Sequence, residues 1–377
     1  DCNLTYGGAQ YGETFDFPNT HCILAWGVNP ATCWAVRAGD IMDAKERGAA
    51  LIVVDPCCSE TAAKANIWLQ IRPDTDMALA LAFIHVVISE NLTDEKFIEE
   101  WTYGYEELKA HIEGCTPEWA AAITGVSAQD IRKAARVYAK AEGACVIRGA
   151  ALDEIHDSVQ VCRATSILAA ITGNIGKKGG NIVTSSRGDI NQNSHDFIYS
   201  AQIPEEIKKL RIGYEKYPLL TQEISPVPSA HMPSLWETIL TGKPYPVKCA
   251  MIFGSNALVS YTNSDKVKEA LSKLDFLAVC DLFLTPTAEQ ADIVFPASSW
   301  LERNNVISSF QSSNCYTLIE QKAETVGESR HDADIVISLA KRLGLADYFW
   351  EDSDRYYDYL LSPTGCTFRE AAEKGRL

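Results

Sequence analysis

Apolar and polar positions fall in blocks along this chain. Residues 21–26, HCILAW, form an apolar run short enough for a buried strand, which stops at Gly27 and is followed by Asn29-Pro30. The next stretch, RAGDIMDAKERG, has helical spacing with Val36, Ile41 and Ala44 on one side, and closes on Lys45, Arg47 and Gly48 before a second apolar run, ALIVVD. Strand, helix, parallel strand is the unit this predicts. Residues 67–71 read as a third strand, after which Asp76 is placed to cap a long apolar helix through ALALAFIHVVI. Two or three helices are expected over residues 94–142, the last opened by Ser127 with Asp130 three residues on. Residues 144–148 read as another buried strand, and VQVCRATSILAAITGNIG as a helix ending in a cluster of glycines. Strand and helix patterns then resume with CAMIFG, NSDKVKEALSKL, FLAVCD, a short helix from Thr285, and DIVFP.

Between these halves the chain turns polar and proline-bearing, which predicts a long excursion over residues 188–247 on the substrate side. The fold class expected is α/β: two three-layer αβα domains with mainly parallel sheets, residues 1–187 and 188–377, related to dinucleotide-binding folds, with strand carboxyl ends facing a shared cleft. The length of 377 residues suits that division. Thirty-four basic against fifty acidic residues leave a formal charge of −16, which disfavours nucleic acid and anionic membrane surfaces. No apolar run reaches the roughly 18–20 residues of a membrane span, so direct membrane insertion is not expected. Twelve cysteines are scattered without any CxxC or CxxH, which argues against a zinc or iron–sulfur site held by this chain alone and gives no metal ligand. A start without Met and an end on a helical pattern predict a piece of a longer protein.

Two strand ends echo one another: GVNPA at 27–31 and GSNALVS at 254–260, each followed downstream by a strand ending in Asp, Asp55 and Asp281. Each turn alone could be a tight βα connection with no ligand. The pair predicts two ligand sites, with a strand-end carboxylate able to accept hydrogen bonds from a ribose or a guanine edge. Neither G-x-G-x-x-G nor G-x-x-x-x-G-K-[ST] occurs, so a common NAD site or P-loop is disfavoured.

In order along the chain, ILAWGVNPA, LIVVDP, LQIRPDTDMALALA, ITGNIGKKGGNI, MIFGSNALVS, DLFLTPTAEQADIVFPASSWLER and VGESRHDADIVISLAKRLG resemble the central region of molybdopterin oxidoreductases of the dimethyl sulfoxide reductase and formate dehydrogenase type. The resemblance implies two αβα domains that each bind one molybdopterin guanine dinucleotide around a Mo or W atom, for two-electron or oxygen-atom transfer on a small substrate. It implies an iron–sulfur cluster in an amino-terminal segment, an electron-transfer iron–sulfur subunit as partner, and a location in the cytoplasm or, behind an export signal, the periplasm. The metal ligand of such proteins lies further before the turn than this chain reaches, and Cys2 sits too close to replace it. A non-catalytic relative that keeps the fold as scaffold, as in respiratory complex I, is the alternative.

Position by position, the resemblance implies that Gly27, Asn29 and Pro30 meet one pyrophosphate and that Asp55 reads its guanine, with Thr75 and Asp76 in the next contact loop. Gly149 and Glu154 fall near a pterin, and Arg187 near the metal as a catalytic cation. Gly254, Ser255, Asn256 and Ser260 match the second turn, with Asp281, Thr285 and Thr287 at its nucleotide edge. His156 is a catalytic candidate because imidazole titrates near neutrality, while Asp157 can begin the next helix. Departures from the pattern are Cys57 in place of a frequent Arg, Asp74 in place of Gly, and Ala257 in place of Pro; Arg72 is the neighbour that could compensate. Glu302 is expected to be structural, pairing with backbone or with an interdomain edge.

Overall fold

A computed structural model describes residues 11–185, 190–191, 203–223, 225, 228–308 and 317–377. Residues 11–185 form one compact unit, and the described residues from 190 onward form a second.

The first unit is built on a parallel sheet. Its strands, with an antiparallel pair beside it, are β1 (Tyr11–Phe15), β2 (Cys22–Trp26), β3 (Ala50–Val54), β4 (Ile67–Leu69), β5 (Ala144–Arg148) and β6 (Asn181–Ser185). The sheet order is β4-β3-β2-β5, all parallel, and β1 pairs with β6. Central β2 is buried at every position because both faces of the sheet are covered. Cys22, Leu24 and Trp26 pack with the helices Asp76–Ser89, Ala128–Ala139 and Ser158–Ile171, while Ile23 and Ala25 face the helix Ala35–Glu46. Alternation along one strand thus feeds two cores, the mark of three αβα layers.

Several local expectations are corrected. In the helix Ala35–Glu46, Ile41 and Ala44 are buried but Val36 is 83% exposed. Five residues at about 100° each carry Val36 about 140° away from Ile41, onto the solvent face. The strand at 67–71 ends at Leu69. Residues 94–142 hold four helices, Glu95–Trp101, Tyr105–His111, Pro117–Thr124 and Ala128–Ala139. Ser127 caps the last of these, accepting from Asp130 N and donating its hydroxyl to the Asp130 carboxylate. Asp76 does not cap: it is the first residue of its helix, buried, and its carboxylate accepts from Trp26 Nε1 at 2.7 Å.

The second unit repeats the plan on a smaller scale, with parallel β7 (Cys249–Phe253), β8 (Phe276–Asp281) and β9 (Ile293–Pro296) in that order. The polar excursion ends earlier than expected: Met232–Thr241 is a helix whose Trp236 and Ile239 enter the core with Val267, Leu271, Leu277 and Val279. An antiparallel pair, β10 (Asn305–Ser308) and β11 (Thr317–Glu320), packs with the helices Ser353–Leu361 and Phe368–Lys374 into a separate core that the pattern did not disclose. Among the described residues no helix is long and apolar enough to cross a membrane.

The glycine-rich segment after the helix Ser158–Ile171 is a structural lock. Asn174 is buried, its Oδ1 accepting from Ala144 N and its Nδ2 donating to Thr172 Oγ1, so it ties the segment to the start of β5. Gly173 has φ +64°, and a Cβ there would lie 2.3 Å from the Asp94 carboxylate, which itself accepts from Phe97 N at the start of a helix. Gly176 has φ +69° with open space around it. Gly173→Ala is therefore expected to cost more than ~2 kcal/mol in urea unfolding, against about 1 kcal/mol for Gly176→Ala, where only backbone strain is introduced. Equal losses would remove the Asp94 contact from the account.

Glu302 has the backbone role expected of it. Its carboxylate accepts from Ser329 Oγ, Ser299 N and Val326 N, and these bonds, the Ser329 hydroxyl foremost, bring its pKa down to about 2. A lowered folded pKa means that the stabilisation is complete above the ordinary carboxylate value of 4.5 and is lost as pH falls toward about 2. Urea midpoints measured across that window are expected to fall less steeply with acid in Glu302→Gln than in the parent; identical slopes would count against it.

Candidate functional site

Both units end a parallel strand in a glycine turn, and the same hydrogen bonds close both turns. Gly27 has φ +61° and donates to Val54 O; Gly254 has φ +53° and donates to Cys280 O. Two residues on, the Asn29 side chain accepts from Thr61 N and, at 2.6 Å, from Thr61 Oγ1, while Asn256 accepts from Thr287 N and, at 2.8 Å, from Thr287 Oγ1. Each threonine is buried, and its oxygen also accepts from the amide two residues past the asparagine, Ala31 N or Leu258 N. One hydroxyl thus donates to the turn's side chain and accepts from its backbone.

The strand that follows repeats as well. Asp55 accepts from Cys57 N and Ser59 Oγ, and Asp281 accepts from Phe283 N. Five residues after each threonine, the side chain of Asn66 or Asp292 accepts from Leu51 N or Leu277 N at the start of the strand. The matching segments read SETAAKAN (59–66) and TPTAEQAD (285–292). Ser59 and Thr61 were missed by sequence reasoning, although this internal likeness was the signal for them. Thr285, expected at the nucleotide edge, accepts from Ala288 N in the same 3₁₀ turn. Thr287 is fully buried behind the turn.

What these locks leave over is a set of backbone donors. Among the described residues, no acceptor is supplied to the amides of Val28 and Asn29 in one turn, or to those of Ser255, Asn256 and Ala257 in the other. Val28 is only 6% exposed, and orphaned amides in such a place call for an acceptor. Ala257, where Pro30 stands in the first turn, contributes an N–H that proline lacks. Gly149 N donates to Trp26 O, and a Cβ on Gly149 would fall 1.9 Å from Gly27 O, so only glycine lets the end of β5 reach the first turn. The donor set, paired with a strand-end carboxylate in each unit, fits an anionic group that also carries hydrogen-bond donors.

Other expected residues are placed differently. Thr75 Oγ1 donates to Arg72 O at the approach to its helix, and Asp76 is turned inward to Trp26, its carboxyl pKa raised chiefly by burial. Arg72 donates from its guanidinium to Ala122 O and Ile123 O at the end of the helix Pro117–Thr124. Asp74 takes the left-handed φ of +62° that glycine would adopt freely, and its carboxylate accepts from His156 N. Glu154 and His156 are exposed, as is Ser260. Arg187 lies outside the described residues.

A family model for molybdopterin oxidoreductase matches residues 4–342. The chain is 34% identical over 388 residues to acetylene hydratase of Syntrophotalea acetylenica, covering 97% of this chain and 52% of that protein. It is 36% identical over 344 residues to the F420-dependent formate dehydrogenase subunit alpha of Methanocaldococcus jannaschii, covering 91% of this chain and 50% of that one. The solved structure of acetylene hydratase from Pelobacter acetylenicus superposes with a TM-score of 0.88 at 32% identity, over 100% of this chain and 54% of that one. The chain spans about half the length of the curated relatives it matches. With the doubled glycine turn, its buried Asn–Thr lock and a match of this extent, the chain belongs to the molybdopterin oxidoreductase family.

Proposed function

We propose that this chain is the part of a molybdenum or tungsten enzyme that holds two molybdopterin guanine dinucleotides, one on each Gly-x-Asn turn. The observation that carries the reading is the repeated lock, which leaves backbone amides unpaired in two equivalent places. Gly27, Asn29 and Pro30, and Gly254, Ser255 and Asn256, shape the turns whose amides receive the two pyrophosphates. Asp55 and Asp281 each keep acceptor capacity beyond the turn bonds they make, enough for the ring N–H and amino group of a guanine, a donor pair that adenine lacks. Gly149 brings its strand end against the first turn, and the exposed imidazole of His156 moves protons on the solvent side. When bound, the pterins' metal supplies two-electron or oxygen-atom chemistry on a small substrate. The polypeptide outside this chain supplies the metal ligand and an iron–sulfur cluster, and an electron-transfer subunit completes the path.

Asp281→Asn in the full-length enzyme, made together with its cofactor-assembly machinery, separates base reading from folding. The amide can still accept from Phe283 N but offers a donor where the base also donates. Retained guanine, released by denaturation, is expected to fall ~10-fold or more at limiting cofactor, with the thermal midpoint within about 2 °C of the parent. A lowered midpoint with unchanged guanine would assign Asp281 to the fold alone.

A further inference from the structure

At the carboxyl end of β9 the second unit contains a polar cavity of about 390 Å³ that the glycine turns do not use. It is built where Ala297 N donates to Asp281 O and Ser298 N donates to Arg330 O. Three cations line it, Arg303, Lys322 and Arg330, together with His331. In a chain with fifty acidic residues, none of the three lies within ion-pairing distance of a carboxylate among the described residues. Glu302, on the same wall, is already satisfied by Ser299, Val326 and Ser329. Asp334 is the other carboxylate present.

Two buried nitrogens in this wall have no hydrogen-bond partner among the described residues, Arg303 Nε and His331 Nδ1. An arginine Nε can only donate and does not give up its proton, so an unmet one beneath a polar cavity leaves both a bond and a charge uncompensated. His331 is kept below its ordinary pKa first by burial and then by the charge of Arg303, whose effect on it exceeds that of Asp334. Asp334 and Asp332 act on it in the opposite direction. Water could fill the space and accept from Nε, but it would not balance the charge.

We propose that this cavity binds a small tetrahedral oxyanion, phosphate or sulfate, with Arg303 Nε as the buried donor and with Lys322 and Arg330 closing over it from the exposed side. The site is separate from the dinucleotide reading and does not depend on it.

Isothermal titration of the full-length protein with inorganic phosphate, in a chloride buffer of low ionic strength, tests it. Saturable binding is expected, weakened at least ~10-fold in Arg303→Gln and a few-fold in Lys322→Gln, and unchanged in Lys96→Gln, which lies on an exposed helix of the first unit. Lys322 is exposed, so its variant reports even if Arg303→Gln fails to fold. Sulfate is the second titrant. Comparable affinity means that charge and shape are read; a preference for phosphate, which carries a proton, means that Asp334 takes part as acceptor. No saturable binding in the parent, or equal binding in the parent and both cavity variants, overturns the assignment.

Discussion

A buried threonine hydroxyl with two obligations stands behind each glycine turn. Thr61 and Thr287 donate to the asparagine of the turn and accept from the amide beyond it, and burial leaves them no water as a substitute. Removing either bond would strand a polar group inside the protein, a loss of roughly 1–3 kcal/mol at each turn. With the asparagine fixed this way, the amides between glycine and asparagine are held pointing away from the chain's own acceptors. Preorganised donors of that kind give a ligand's phosphate its bonds without ordering a loop at the moment of binding.

The sheets make those turns possible. A strand buried on both faces, as β2 is, arrives at its carboxyl end with no freedom to shift, and its neighbours set where Gly27 emerges. In the same unit a buried ion pair between Arg148 and Glu13, with Asn181 donating to the same glutamate, secures the end of β5 beside Gly149. Breaking such a pair from one side would leave a charge without compensation in the interior. The second unit holds its turn with a smaller sheet of three strands, yet the hydrogen bonds around Asn256 match those around Asn29.

Much of this could be read from residue pattern. Short apolar runs ending in Gly or Asp gave the parallel strands, and the echo between GVNPA and GSNALVS pointed to two equivalent sites. The threonines behind them escaped notice because a Thr in a polar loop reads as exposed until its depth is known; the likeness of SETAAKAN to TPTAEQAD marked them, but only beside a second copy. Asp76 misled for the opposite reason: an acid at a helix start suggests a cap, whereas the indole of Trp26, fifty residues earlier, claims it. Val36 shows that spacing must be counted as an angle, since an apolar residue five positions from Ile41 lies on another face. The antiparallel pair β10 and β11 and its small core depend on contacts between distant segments, which local periodicity does not carry.

The central claim is that each of the two turns holds one guanine dinucleotide. It is tested most directly by the number of guanine nucleotides released per polypeptide when the purified full-length protein, isolated with its cofactor, is denatured in acid. The account predicts two per chain. One per chain would mean that only one of the two locks serves a ligand, and none in a protein that retains molybdenum or tungsten would contradict the account outright.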